Sequence, residues 1–296
     1  MNTNTVLKGV ILVGLGATSY GMLATFVKLA YKEGFTTAEV TSAQFIYGIL
    51  GIALLIFFQN IVPKKPIVMP TKKNRFQLIL AGTSLGLTSV FYYLCVKYIN
   101  VSIAIVMLMQ TVWMGVLLEW ILDKQVPSKR KILAVCIVLL GTLLATNITN
   151  SAVSIDWRGI VFGLLAAASF TTTMFTANKI AVGVSNLYRS LYMLFGGAII
   201  VLLFALLTQT TPFNLEIFYK WGILLALFGT IIPPILMNAG FPSTGIGLGS
   251  IVSSLELPVS VLMAYFILNE NVIFLQWIGI ILILFAIFIM NFKSKS

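Results

Sequence analysis

The segment ILDKQV, which begins at Ile121, and the segment ILNENV, which begins at Ile267, decide the architecture of this chain. Setting one against the other shifts the sequence by 146 positions and aligns residues 101–144 with residues 247–290 without a gap. In both stretches an apolar helix leads into a short acidic and polar turn, and a second apolar helix follows. The ordered agreement of turns and charges favours a duplicated sequence over a chance match between apolar stretches.

The beginnings of the two copies agree as well. KGVILVGLGATSYG from Lys8 matches RGIVFGLLAAASFT from Arg158, so a basic residue, a glycine and a helix rich in small residues open each copy. We therefore predict two repeats, at residues 1–150 and 151–296. Since five spans is an odd number, a duplicated five-helix unit must insert upside down relative to the first.

The composition predicts a membrane protein. Of the 296 residues, 59% are apolar and only 9% are charged, which is more apolar surface than a soluble domain can bury. A bilayer core of about 30 Å requires roughly 20 apolar residues per helix. We predict an all-α polytopic membrane protein with ten transmembrane helices in two inverted five-helix repeats. The predicted spans are 9–30, 40–58, 76–96, 101–122 and 131–147, then 157–178, 188–207, 221–238, 245–268 and 272–292.

The basic residues predict the orientation. With the N-terminus inside, the cytoplasmic segments hold 14 of the 19 Lys and Arg residues, as the positive-inside rule requires. We expect a multi-pass protein of a bacterial inner membrane with both termini in the cytoplasm. Because these charges lie in short gaps between apolar runs, the net charge of +11 reflects topology and not a nucleic-acid partner. The fourteen are Lys8, Lys64, Lys65, Lys72, Lys73, Arg75, Lys124, Lys129, Arg130, Lys131, Lys179, Arg189, Lys293 and Lys295.

Several function classes are excluded by what the sequence lacks. It has no histidine, which removes imidazole as a base, proton shuttle or metal ligand. Cys95 and Cys136 lie inside apolar runs, where small buried residues are expected and not a metal-binding pair. The sequence has no Walker motif or other nucleotide-binding loop. We therefore expect no metal, no cofactor and no enzymatic activity.

Motifs at the start and end of the repeats resemble those of a known family. The first helices carry Gly9, Ala17, Tyr20, Gly21 and Lys28 in one copy and Gly159, Ala167, Phe170 and Lys179 in the other. The last two helices read SLELPVSVLMAYFILNENVIFLQWIGIILIL from Ser254, and include Glu256, Pro258 and Glu270. With these motifs nearly the whole chain resembles the EamA-type family of the drug/metabolite transporter superfamily. The resemblance implies ten helices in two inverted repeats and the export or uptake of small metabolites.

The chain departs from the family pattern at several positions. Leu257 separates the Glu and Pro that are usually adjacent, and Asn269 replaces a glycine of the turn. At the position that corresponds to Glu256, the first copy has Gln110. An arginine common near the start of the second helix of the repeat is matched only loosely, by Arg189. The two halves are therefore expected to have diverged in function.

Glu256 is the strongest candidate for a functional residue. It falls near the middle of the ninth predicted span, where a charge costs about 2.5–3.5 kcal/mol, so it must face a cavity, find a partner or be protonated. At helical spacing it shares one face with small and polar residues, namely Gly249, Ser253, Ser260 and Ala264. We expect this face to point inward; the alternative is that it packs against a neighbouring helix.

Further candidates lie on neighbouring spans. In the fourth span Gln110 is a neutral counterpart of Glu256, and Trp113 lies beside it. Pro233 and Pro234 predict a break or kink in the eighth span. Polar residues of the third, sixth and eighth spans are expected to line a cavity, with polar contacts between helices as the alternative. The candidate substrate-binding or coupling residues are Glu256, Gln110, Trp113, Tyr92, Asn238, Ser253 and Ser260.

These features favour a secondary transporter that works by alternating access. The expected cargo is a small metabolite, namely an amino acid, an amine or a drug-like compound, with export favoured over uptake. Glu256 is expected to exchange a proton or to contact a cationic group. The expected partners are the small-molecule substrate, protons and membrane lipids. A passive channel or a membrane scaffold is the alternative, and an intramembrane enzyme is a more distant one because no catalytic cluster is visible.

Overall fold

The computed structural model describes residues 3–61, 67–99, 101–124, 126–146 and 156–291, and all regular secondary structure in these ranges is helical. The predicted repeat boundary at residues 150 and 151 and the predicted cytoplasmic residues Lys64, Lys65, Lys293 and Lys295 lie outside the described residues. The helices are α1 (Thr3–Lys32), α2 (Thr37–Ile61), α3 (Lys72–Tyr98), α4 (Val101–Leu108), α5 (Thr111–Asp123), α6 (Lys129–Ala145), α7 (Trp157–Lys179), α8 (Asn186–Thr208), α9 (Ile223–Ala226), α10 (Ile232–Ser253), α11 (Glu256–Leu268) and α12 (Phe274–Asn291).

The protein is a polytopic, all-helical membrane protein. Within the described ranges, seven helical stretches are long and apolar enough to cross a bilayer. One of them, Phe218–Leu268, is 51 residues long and contains both the eighth and the ninth predicted spans. The fifth predicted span corresponds to α6, which has 17 residues. The count of ten transmembrane helices stays a prediction.

The fourth and ninth predicted spans each contain an irregular turn that the sequence interpretation did not anticipate. The fourth span divides between α4 and α5, and the ninth divides at Ser254 and Leu255, before α11. In the second break the amide of Leu257 donates to the carbonyl of Ser254. That carbonyl cannot receive its usual donor four residues on, because Pro258 has no N–H.

The predicted irregularity of the eighth span is confirmed. A π-helical turn, Leu227–Ile231, precedes Pro233 and Pro234, which occupy the first turn of α10. Farther along α10, Gly245 has φ 75° and ψ 175° and interrupts the helix. Positive φ is easily adopted by glycine, which lacks a Cβ.

The halves pack on one another reciprocally. The first helix of the first repeat, α1, packs along α10, and the first helix of the second, α7, packs along α3. Where α3 crosses α8, Gly82 and Gly86 of the GTSLG segment face Gly196 and Gly197, so the two backbones touch. A Gly-x-x-x-Gly spacing permits such close helix crossings in membranes.

Candidate functional site

Glu256 lies at the break in the ninth span. It is the first residue of α11 and its side chain is partly buried. Among the described residues, none donates a hydrogen bond to its carboxylate or forms an ion pair with it. The start of a helix carries partial positive charge and favours an anion. The described part of the fold therefore holds an acidic group that has no side-chain partner within it.

Two tyrosine side chains, Tyr20 of α1 and Tyr92 of α3, interact electrostatically with this carboxylate. Tyr93 contacts Tyr92, with ring centroids 6.0 Å apart. Tyr20 also meets Phe170 of α7 edge to face at 6.2 Å. Glu256 of the second repeat thus interacts with two tyrosines of the first repeat. An acid near aromatic rings is suited to an organic cation.

The carboxylate is positioned by a close helix crossing. A Cβ on Gly21 of α1 would lie 2.5 Å from the backbone oxygen of Glu256 and 2.8 Å from the Cβ of Val259. A larger residue at Gly21 would push α11 away from α1. The glycine of the aromatic–glycine pair therefore fixes the distance between the two helices.

The helix boundaries correct the predicted pairing of Gln110 with Glu256. Both α5 and α11 have 13 residues and end at a residue with φ 53°, Lys124 in one case and Asn269 in the other. This relates the two copies by 145 positions, from Thr111 to Glu256, and not by 146. Thr111 is buried and shares a 2.8 Å hydrogen bond with Thr171 of α7. A closed hydroxyl pair thus occupies the place where the second repeat has its acid.

The side chain of Gln110 replaces a helical hydrogen bond that is missing in the fourth span. The backbone amide of Gln110 turns to the carbonyl of Met107, and its side-chain Nε2 donates instead to the Val106 carbonyl at 3.0 Å. Its Oε1 accepts a 2.8 Å hydrogen bond from the indole of Trp113. The structure therefore brings Gln110 and Trp113 together as a hydrogen-bonded pair whose polar atoms already have partners.

The other predicted residues are more dispersed. Asn238 is buried and donates to Ser190 Oγ at 2.9 Å, in a separate group around α8, and its Oδ1 has no hydrogen-bond partner within the described ranges. Ser253 is buried and donates to the carbonyl of Gly249, whereas Ser260 is partly exposed. Of the other predicted site residues, Ser260 lies four positions beyond Glu256 on α11, and Tyr92 interacts with Glu256 electrostatically.

Hydroxyl side chains of the third and sixth spans form contacts between helices. Ser84 of α3 and Thr173 of α7 share a 2.8 Å hydrogen bond. Thr176 of α7 donates back to the Thr172 carbonyl of its own helix. These bonds match the alternative that was left open for them, polar contacts between and within helices.

Arg189 is the residue whose importance the sequence interpretation underestimated. Its side chain is fully buried, and its guanidinium group makes five hydrogen bonds. The acceptors are the carbonyl oxygens of Thr176, Ala177, Ile180 and Asn238 and the Oδ1 of Asn186. Three of these carbonyls lie at the C-terminal end of α7, where a cation is favoured. Arg189 thus ties together α7, α8 and α10, and all its donors are used.

No group of three or more potential metal-ligating side chains occurs in the part of the chain that the structure describes.

Comparisons with known proteins bear on the family. A family model described as the EamA-like transporter family matches twice, over residues 7–147 and 157–292. One solved crystal structure aligns with a TM-score of 0.77 at 14% identity and covers 98% of each chain, and 28 solved chains match significantly. At this identity the likeness shows the fold alone. A search of curated proteins found no significant match. Since the family model covers both halves, this chain belongs to the EamA-like transporter family of the drug/metabolite transporter superfamily.

Proposed function

We propose that the protein is a secondary transporter that moves a small cationic or zwitterionic metabolite, an amine or an amino acid, by alternating access, with export favoured. The observation that carries this proposal is the carboxylate of Glu256, which is unpaired within the described ranges and lies at a helix break beside Tyr20 and Tyr92. A buried charge without a partner is costly. That cost would be removed when the carboxylate binds either a cationic ligand or a proton.

Competition between proton and substrate for one carboxylate would couple their movements. When Glu256 is ionised, it attracts an amine, and the rings of Tyr20, Tyr92 and Tyr93 add cation–π attraction. When it is protonated, the attraction is lost and the amine is released. Within the described residues, the phenols of Tyr20 and Tyr92 interact electrostatically with Glu256.

The broken helices support a transporter over a passive channel or scaffold. Interruptions in the fourth and ninth spans, together with the π-helical turn before α10, leave backbone groups outside regular helix at the centre of the fold. In transporters such discontinuous helices commonly form the binding site. We further propose ten spans in two inverted repeats, with both termini in the cytoplasm of a bacterial inner membrane. The ion-pair contacts agree with this sidedness, since they join residues assigned to the same side.

Glu256→Gln is expected to abolish pH-dependent transport while the protein still inserts and folds. The change keeps the side-chain shape and removes the charge, whose interaction with a cation is worth about 1.5–3 kcal/mol, or roughly tenfold or more in affinity. Purified protein in liposomes would be given an imposed pH gradient, and the movement of a panel of radiolabelled amines, amino acids and nucleosides would be measured.

Glu216→Gln serves as the control for this experiment, because it removes an exposed carboxylate that pairs with Lys220 four residues along the chain. It should transport like the unaltered protein. Unchanged pH-dependent transport by Glu256→Gln would overturn the coupling role. If transport by the unaltered protein does not depend on the pH gradient, the protein is a uniporter and not a proton-coupled transporter.

A further inference from the structure

Two ion pairs each join one repeat to the other. Lys28 of α1 pairs with Glu270, which follows α11. Lys179, at the end of α7, pairs with Asp123 at the end of α5, with 3.1 Å between Nζ and Oδ1. In each pair the lysine comes from the first helix of one repeat and the acid from the turn after the broken span of the other.

The two pairs occupy equivalent places in the repeats. Each acid is adjacent in sequence to the residue with φ 53° that ends α5 or α11, since Asp123 precedes Lys124 and Glu270 follows Asn269. The acids therefore do not align residue for residue, yet both reach the same kind of partner. Their recurrence in both halves indicates that the interaction has a role that each half needs.

The pairs lie at opposite ends of the fold. Gly9, near the start of α1, packs against Gly240 and Ser243 of α10. Just beyond, the amide of Gly247 donates to Glu119 of α5, one turn before the end of that helix. The end of α5, with Asp123, therefore lies near the start of α1, whereas Lys28 is near the opposite end of α1.

Glu256 lies between the two ends. It meets α1 at Gly21, seven residues before Lys28 and twelve after Gly9. On α11 it is twelve residues before Leu268, beyond which Glu270 is reached. Glu256 therefore lies partway along α1 and at the start of α11, between the two ion pairs.

We propose that Lys28–Glu270 and Lys179–Asp123 are a matched pair of latches that close the two ends of the transport path, and that one must open for access from its own side. The inference rests on the alternating access proposed above. Both latches are closed in this structure. On the predicted topology, Lys179–Asp123 faces the cytoplasm and Lys28–Glu270 faces the outside.

Their exposure suits a latch. The four side chains are between 41% and 49% exposed, and exposed ion pairs are worth at most about fivefold in an equilibrium constant. A latch of this strength biases the closed state and still opens during each cycle. A fully buried pair would be much harder to separate and rejoin.

The test is hydrogen–deuterium exchange of the protein in lipid nanodiscs without substrate, so that its outcome does not depend on transport. Residues 213–222 lie at the Glu270 end, since Lys220 pairs with Glu33, which directly follows α1. Glu270→Gln should raise exchange about two- to fivefold in this segment. Asp123→Asn should do the same in residues 243–249, at the opposite end. Neither reporter segment contains a substituted residue. The double variant Lys28→Glu with Glu270→Lys restores the attraction and should return exchange to the original rate.

Asp156→Asn is the matched control, because it breaks an exposed ion pair with Arg158 within one segment. The latch proposal is overturned if Glu270→Gln and Asp123→Asn change exchange no more than this control does. It is equally overturned if both variants raise exchange in the same segment, or if each variant raises exchange equally in both segments. The exchange experiment contains no substrate, so its result holds even if no transported substrate is found. If the latch proposal is overturned, the transport experiment on Glu256 remains a valid test of the proposed function.

Discussion

Arg189→Met is expected to lower the free energy of unfolding by about 2–6 kcal/mol, because it leaves at least two buried carbonyl groups without their donor. Methionine keeps much of the length and the apolar stem, so the change isolates the guanidinium group. Its loss leaves the carbonyls of Ala177 and Asn238, each of which now receives a 2.6 Å hydrogen bond, without their donor. Buried acceptors without a donor cost about 1–3 kcal/mol each.

The measurement is urea or thermal unfolding of the purified protein in a mild detergent. Arg189→Lys keeps the charge but has fewer donors in a different geometry. The stability of this variant should therefore lie between those of Arg189→Met and the unaltered protein. Arg75→Met is the control, since Arg75 is an exposed residue that makes one hydrogen bond, to the carbonyl of Pro70, and lies 5.8 Å from the centre of the Tyr192 ring. This change should lower stability by about 1 kcal/mol or less. Equal stability of the Arg189 and Arg75 variants would show that the network does not hold the helices together.

Gly196→Ala is expected to lower the free energy of unfolding by about 3 kcal/mol or more, which is the upper end of the range for overpacked contacts. A Cβ at this position would overlap the carbonyl oxygen of Ile79, a backbone atom that cannot rotate away. Helices α3 and α8 would have to separate along the contact where Gly82 in turn faces the Met193 backbone.

The same unfolding measurement tests this contact. Gly183→Ala provides the matched control, because a Cβ there would meet no atom within 4 Å and the added methyl should leave stability nearly unchanged. Gly82→Ala should behave like Gly196→Ala, since it forces the same two backbones apart. If all three alanine variants unfolded at one temperature, the close crossing would not contribute to stability.

Membrane class, helical fold and the two-repeat family were predictable from the sequence. They depend on apolar runs, glycines and charged turns, and these features follow directly from what a bilayer permits. The helix breaks were harder to predict from the sequence. Pro258 signals the break in the ninth span, since it removes the donor that Ser254 would otherwise bind. The break in the fourth span carries no proline, and only the bonds of Gln110 reveal it.

The candidate site was only partly predictable. Glu256 stood out because a midspan charge is costly, but the partners around it depend on which helices meet. Tyr20 belongs to the motif that opens the first repeat, and its interaction with Glu256 arises from the packing of α1 on α11. Pairing Gln110 with Glu256 was wrong by one position, because apolar sequences align almost equally well at neighbouring offsets. Arg189 was undervalued because its acceptors are backbone carbonyls, which every sequence has.

The network around Arg189 also bears on how the chain enters the membrane. Three of its acceptors, at Thr176, Ala177 and Ile180, precede it by 13 residues or fewer, in the helix made just before its own. A nascent hairpin of α7 and α8 can therefore solvate the cation with its own carbonyls as it leaves the translocon. The bond to Asn238, 49 residues later, forms only when α10 arrives. Synthesis order thus gives the buried guanidinium group of Arg189 hydrogen-bond acceptors before the bundle is assembled.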